Sequence, residues 1–375
     1  MTEPTPVDIG HGWHPDPSAS FSLHVDAYTL PRWFEIDQSE IISRSWQWVC
    51  HREKLERPGS FIADTVAGMP VVVLRDHHSE LRAFYNVCKH RAHELVGGEG
   101  RLQNLVCPYH GWSYDLTGQL KAARHTNHLE DFDTSKICLE PVQVNEFCGF
   151  IYVNLDPDAA SLAEQSGDLA AEIQRWAPDV EQLTHAHRLT YEIKSNWKNV
   201  VDNFLECYHC HIAHKDFVSL VDMDTYKVTT HGIYSSHMAE AGKTPNSAYD
   251  VSDATVTDHA VWWLWPNTTM MRYPGRGNFS VLKFIPAGVD LTYETYDFFY
   301  ETAEPTEAEL ESIRYLDGIL QVEDINLVES VQRGMSTPAF QQGRIVSDPD
   351  GSGLSEHGLH HFHGLVLDAY NRAAL

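Results

Sequence analysis

Short apolar runs rich in β-branched and aromatic residues, broken by turn signals, fill the stretch from residue 45 to residue 156. FIADTVAGMPVVVLRD and GFIYVNLDP carry such runs, while Ala67-Gly68-Met69-Pro70 and Leu116-Thr117-Gly118 supply breaks, so the pattern predicts a small all-β domain. Residues 1–44 read as an arm with a helical stretch near PRWFEIDQSEIISRSWQWVC. The polar passage DPDAASLAEQSGDLA marks a junction, after which the period changes. Trp197, Val200, Val201, Phe204 and Tyr208 recur at helical intervals within 196–209. VWWLWPNTTMMRYP and GNFSVLKFIPAGVDLTYETYDFFYE read as strands of a mostly antiparallel sheet. Thr306 with Glu309 three residues on is a capping-box start, and Leu310, Ile313, Leu320, Val328 and Val331 continue a helical stripe. The expected class is α+β, divided as an arm (1–44), a β domain (45–156) and a larger domain (157–375).

Composition narrows the partners. The 375 residues carry 53 acidic against 27 basic side chains, a net charge of −26, which argues against nucleic acid or anionic lipid as a partner. No run approaches the roughly 20 apolar residues of a membrane span. The N-terminus lacks the basic-then-apolar order of a secretion signal, so a cytoplasmic protein is expected. Seven cysteines in a chain of this length are expected to be reduced thiols, which leaves clustered ones for metal ligation.

Such a cluster lies in NVCKHRAHELVGGEGRLQNLVCPYHGWSYD. Cys88 and His90 form a Cys-x-His half, Cys107 and His110 a Cys-x-x-His half. Zinc and a Rieske [2Fe-2S] cluster both use two Cys and two His. Zinc sites usually pair Cys with Cys in one knuckle; here each loop supplies one of each, as a cluster gripped from both sides requires. The Rieske reading is preferred, and two neutral imidazoles raise the potential of such a cluster above that of an all-cysteine one.

A second group follows in NWKNVVDNFLECYHCHIAHKDF. His209 and His214 are five apart, about 140° on an ideal helix, so they converge on one metal only where the helix ends or distorts between them. Asn203, Glu206 and His209 share a polar stripe. Two His with a carboxylate would make the facial triad of a non-haem Fe(II) oxygenase, with positions open for O2. Glu323, Asp324 and Glu329 are the candidate acids, and spacing does not choose among them. Cys207 and Cys210 frame His209 as C-x-x-C; with no second pair following, they are read as packing residues.

CKHRAH, CPYHGWSYDLTG and NWKNVVDNFLECYHCHIAH together resemble the oxygenase (α) subunits of Rieske non-haem iron oxygenases along nearly the whole chain. The resemblance is strongest to the quaternary-ammonium branch of carnitine, glycine betaine, stachydrine and choline monooxygenases, through ECYHC, WWLWP, EDINLVESVQRG, GRIVSDPDGSGLSEHG and HHFH. It implies an N-terminal Rieske domain and a helix-grip catalytic domain built on an antiparallel sheet. It also implies Asp324 as the iron carboxylate and Glu206 as the acid joining two metal centres across subunits of a homotrimer. Many aromatic-ring dioxygenases have Asp where Glu206 stands. Electrons would come from NADH through a separate reductase carrying flavin and a [2Fe-2S] cluster, since the chain has no G-x-G-x-x-G unit. With O2 the enzyme would hydroxylate carnitine, γ-butyrobetaine or glycine betaine next to nitrogen, leading to C–N cleavage or N-demethylation. Tyr208, Trp263 and Trp265 would then be candidates for an aromatic cage around the cation, and Arg272 and Arg344 for a substrate carboxylate. The alternative is an aromatic-ring-hydroxylating member of the superfamily.

Overall fold

The computed structural model describes residues 8–242 and 246–373. The first seven residues of the expected arm, and the last two of the chain, lie outside them. Two compact units emerge, residues 42–164, and residues 8–41 together with 165–373. The arm therefore does not stand apart. Its Asp37 is fully buried, takes hydrogen bonds from Trp197 Nε1 (2.9 Å) and Tyr370 Oη (2.7 Å), and pairs with the buried Lys198 ammonium. A carboxylate out of water needs such partners, and this set ties arm, mid-chain helix and C-terminal helix together.

The 42–164 unit is all-β. Its strands are β1 (Gln47–His51), β2 (Ser60–Val66), β3 (Met69–Arg75), β4 (Leu81–Tyr85), β5 (Glu99–Arg101), β6 (Leu105–Val106), β7 (Ser113–Tyr114), β8 (Leu120–Ala122), β9 (Pro141–Phe147) and β10 (Phe150–Asn154). Seven of them form an antiparallel sheet in the order β1-β10-β9-β4-β3-β2-β5, and β6, β7 and β8 make a small second sheet. Val72, Leu74, Phe84, Leu105, Trp112 and Tyr114 pack with Cys88 and Cys107 into one buried cluster. The two loops that carry the candidate cluster ligands thus rise from a rigid apolar base.

The other unit carries strands β11 (Thr184–Ile193), β12 (Lys227–Thr230), β13 (Tyr234–Ala239), β14 (His259–Leu264), β15 (Thr268–Arg272), β16 (Asn278–Gly288) and β17 (Leu291–Tyr300). They form one antiparallel sheet in the order β11-β17-β16-β15-β14-β13-β12. Strands β14 and β15 are buried at every position, so these runs are apolar or uncharged on both faces over most of their length. Trp263 meets Phe362 of the C-terminal helix His357–Ala373 edge-on.

Two departures from helical regularity position the chemistry. The expected helix 196–209 stops at Phe204; Leu205 caps it, and a second short helix, Cys210–Ala213, starts after His209 and ends at His214. The helix that opens at Thr306 runs Glu307–Tyr315, widens into a π turn at Leu316–Leu320 and resumes as Gln321–Met335. π turns often mark functional sites, and this one directly precedes Glu323 and Asp324. The stripe read through Val331 ends earlier, since Val331 is 45% exposed whereas Val328 is buried.

The capping box is present: Thr306 accepts from Glu309 N–H, and Glu309 Oε2 accepts from Thr306 N–H at 2.6 Å. Thr306→Ala is expected to cost about 1 kcal/mol, read as an earlier unfolding transition in denaturant, because the first-turn donors lose their acceptor.

Candidate functional site

Two loops present the first donor set. Cys88 N–H bonds His93 O (2.9 Å) and Ala92 N–H bonds Cys88 O; Cys107 N–H bonds Trp112 O (2.8 Å) and Gly111 N–H bonds Cys107 O. These tight turns bury both thiols and bring the rings of His90 and His110 to 4.6 Å between centroids at the outer, more exposed end. His110 Nδ1 is buried and has no hydrogen-bond partner among the described residues. An inner pair of thiols, an outer pair of imidazoles and an unclaimed ring nitrogen fit the [2Fe-2S] group.

Tyr114 supports this set from beneath. Its hydroxyl accepts Lys89 N–H (3.0 Å), leaving its own hydrogen for Cys88 Sγ at 3.4 Å. Burial raises its pKa, so it stays protonated. A hydrogen bond to a cluster sulfur favours the reduced, more negative state. Tyr114→Phe is therefore expected to lower the cluster potential with the cluster retained; a redox titration that superimposes on wild type counts against this.

The second set forms around the helix break. The Nε2 atoms of His209 and His214 lie 3.1 Å apart, and Asp324 Oδ1 lies 2.9 Å from His214 Nε2 and 3.6 Å from His209 Nε2. Among the described residues this is the group of three donors close enough to hold one ion. Each imidazole is held from behind: Glu206 Oε1 bonds His209 Nδ1, and Glu323 Oε2 lies 2.9 Å from His214 Nδ1. Carboxylates on both Nδ1 atoms turn both Nε2 atoms towards the same point. Glu206 Oε2 also accepts Tyr208 N–H (2.5 Å) and His209 N–H (3.2 Å), which fixes the turn.

Electrostatics match. Burial opposes charge on His209, yet the hydrogen bonds to Asp324 and Glu206 outweigh it and raise its pKa to about 10. Burial likewise pushes Asp324 up, but His209 and His214 bring it down to about 2. A site that holds protons this firmly between acid and base offers a divalent cation the same balance of charge, with proton release on binding. Two His and one carboxylate fit Fe(II) with open positions.

Of the three acids that spacing leaves open, Asp324 faces the imidazole nitrogens, Glu323 stands behind His214, and Glu329 instead accepts Lys194 N–H at 3.0 Å. Adjacent helical residues point about 100° apart, so Glu323 and Asp324 reach opposite sides of one ring. No pattern in the sequence signals the supporting place of Glu323.

The cavity over this set is lined by Phe204, Phe217, Tyr226, Tyr273, His237 and His259, with Asn203, Glu206, Val261 and Leu320. The structure does not bring the expected aromatic cage there. Trp263 is fully buried against Phe362, two residues beyond the cavity-lining Val261. Trp265 lies past the end of β14, packed on Trp263 and Phe362. Tyr208 is 51% exposed outside the lining. Arg272 pairs with Asp179 (2.6 Å) and does not line this cavity, while Arg344, whose Nη1 donates to Ser20 O (2.6 Å), lines instead a neighbouring cavity that shares Asn203, Glu206 and His209 with it. The lining aromatics come from separate segments of the sequence, which is why no single motif announced them.

The reading of Cys207 and Cys210 as packing residues, and the expectation that all seven cysteines are reduced, are also corrected. The turn after Leu205 brings their Cα atoms to 4.9 Å and they are joined as a disulfide.

Known proteins match this arrangement. The family described as Rieske [2Fe-2S] domain matches residues 45–133, and that described as Ring hydroxylating alpha subunit (catalytic domain) matches residues 180–372. The carnitine monooxygenase oxygenase subunit of Escherichia coli (strain K12) is 36% identical over 357 residues, covering 95% of each chain. The chloroplastic choline monooxygenase of Beta vulgaris is 32% identical over 348 residues, 90% of this chain and 74% of that protein. A crystal structure of the quaternary ammonium Rieske monooxygenase CntA with an inhibitor superposes with a TM-score of 0.89 at 34% identity, covering 98% of this chain and 99% of that one. The chain thus belongs to the Rieske-type ring-hydroxylating oxygenase family, as an oxidoreductase with a [2Fe-2S] domain and an iron-dependent catalytic domain.

Proposed function

We propose that the chain is the terminal oxygenase that hydroxylates a quaternary-ammonium compound on a carbon bound to nitrogen, with Cys88, His90, Cys107 and His110 holding the cluster and His209, His214 and Asp324 the iron. The observation that carries the substrate class is the cavity lining. Phe204, Phe217, Tyr226 and Tyr273 supply aromatic rings, and among the described residues neither Lys nor Arg lines the cavity. Burial lowers the pKa of both His237 and His259 to about 3, so both are neutral near pH 7. Desolvation is the largest cause in each case, with the neighbouring His259 and His357 adding to the effect at His237. A fixed cation entering such a space meets aromatic side chains and the carboxylates of Glu206 and Asp324 with no Lys or Arg among the described lining residues, and each cation–π contact is worth on the order of 0.5 to 2 kcal/mol.

When bound, the iron would supply the site where O2 is reduced with two electrons, delivered through the cluster by a separate NADH-dependent reductase carrying flavin. The protein's own groups do the rest. Glu206 and Glu323 hold the two imidazoles in one orientation, and the aromatic lining places the substrate head and keeps water out. The balance is one substrate C–H, one O2, two electrons and two protons giving a C–OH and one water. A carbon bearing both hydroxyl and quaternary nitrogen then releases a proton, a tertiary amine and an aldehyde.

Glu206 and His209 also line a second cavity of about 310 Å³, with Leu327, Val331, Met335 and Phe340 on its apolar side and Asp202, Arg344 and Glu356 among its charged residues. That position supports Glu206 as the acid that faces a neighbouring subunit in a homotrimer. The test is a panel of carnitine, γ-butyrobetaine, glycine betaine, stachydrine and choline with a matched reductase, reading products by mass. Tertiary amine and aldehyde from at least one of them is the expected result. NADH consumption stimulated by an aromatic acid and by none of these compounds would overturn the substrate class.

A further inference from the structure

The cavity has one polar group that the chemistry so far leaves idle. His259, the first residue of β14, is 2% exposed and lies among Phe217, Tyr226 and Tyr273, at ring-centroid distances of 5.6, 5.7 and 5.1 Å. The other polar rings of the lining have partners. His237 meets Tyr226 Oη through Nδ1 (3.3 Å) and Ser235 Oγ through Nε2 (3.2 Å), and the Tyr273 hydroxyl is turned towards Met271 Sδ (3.6 Å). His259 Nδ1 is buried without a hydrogen-bond partner among the described residues.

A buried neutral imidazole must place one proton on one of two nitrogens. An enclosed N–H with no acceptor costs more than an enclosed lone pair, so the sealed Nδ1 takes the lone pair and Nε2 carries the proton. Nε2 is then the nitrogen left to present to the cavity. Its N–H needs an acceptor from whatever fills that space.

We propose that His259 is a specificity-determining residue, whose Nε2–H donates to the oxygen that a functionalised quaternary amine carries beyond its cationic head. The inference rests on the substrate reading above and deepens it. Carboxylate and hydroxyl oxygens share the required chemistry. With no Lys or Arg among the described lining residues, a neutral donor is what greets either one. A bare alkyl chain in the same place would leave the N–H unpaired, and a site built around a hydrogen bond rejects a ligand lacking its partner.

The experiment measures calorimetric binding to the metal-loaded, full-length protein with two matched pairs. These are γ-butyrobetaine against butyltrimethylammonium, and choline against ethyltrimethylammonium. Wild type is expected to bind at least one oxygen-bearing member about 10-fold more tightly than its partner, the value of one hydrogen bond of this kind. His259→Phe should erase that preference while changing the affinity for the alkyl control by less than about twofold, and His259→Asn, which keeps an amide donor, should restore part of it. Iron content and the Rieske absorption of each variant are measured alongside. Equal losses for both members of a pair would mark His259 as packing only and overturn the assignment. Should His259→Phe fail to fold, the wild-type preference and the Asn variant still decide, and a wild type without preference in either pair overturns the assignment. Wild type that takes none of the four compounds overturns the substrate reading itself.

Discussion

Asp324→Ala is expected to remove the mononuclear iron, leave the Rieske spectrum intact and lower turnover by about 100-fold or more, since losing even a residue behind a ligand typically costs about 10- to 100-fold. Asp324 Oδ1 is the oxygen nearest both Nε2 atoms, and without it the pocket offers two imidazoles and no anionic donor between them. Glu323→Ala is the informative contrast. Glu323 touches His214 Nδ1 on the far side of the ring, so its loss should weaken iron retention without abolishing it. Iron analysis on the two variants, with electron spin resonance of the reduced cluster as the internal reference, reads both effects. Full iron in Asp324→Ala with none in Glu323→Ala would exchange their roles.

That contrast also shows where sequence reading stops. The cluster loops were legible because a Cys-x-His beside a Cys-x-x-His restricts the chemistry on its own, and short turns supply the rest of the geometry. His209 and His214 were legible as a pair conditional on a break in the helix, and the break falls between Phe204 and Cys210. Spacing alone could not separate Glu323 from Asp324, and only the family resemblance pointed to Asp324, because the helix turns by about 100° per residue and the position of the partner rings decides which oxygen meets which nitrogen. The cavity lining was the least legible. Trp263 and Trp265 stand out as a dense aromatic run, yet dense runs on a covered strand pack into the core, and here they meet Phe362. Tyr226, Tyr273 and His259 stand singly in the sequence and become neighbours only when the loop before β12 and strands β14 and β15 come together.

Glu206→Gln is the second large effect, and its signature is different: both metals stay, while coupled turnover falls by about 100-fold. The carboxylate makes two kinds of contact at once. Oε1 holds His209 Nδ1, and Oε2 accepts the N–H groups of Tyr208 and His209. Glutamine retains one acceptor oxygen but replaces the other by an NH2 group that cannot accept from those backbone donors, so the turn and the imidazole lose their common anchor. His214 and Asp324 remain in place to retain iron, which separates this variant from Asp324→Ala. In a single turnover with prereduced protein, substrate and O2, reoxidation of the cluster should slow in step with product formation, because the group that orients His209 is also the one facing the second cavity. Glu206→Asp keeps the charge on a shorter stem and should fall between wild type and Glu206→Gln. Wild-type reoxidation in Glu206→Gln would remove this carboxylate from the electron path, and loss of iron in that variant would reduce it to a support for His209.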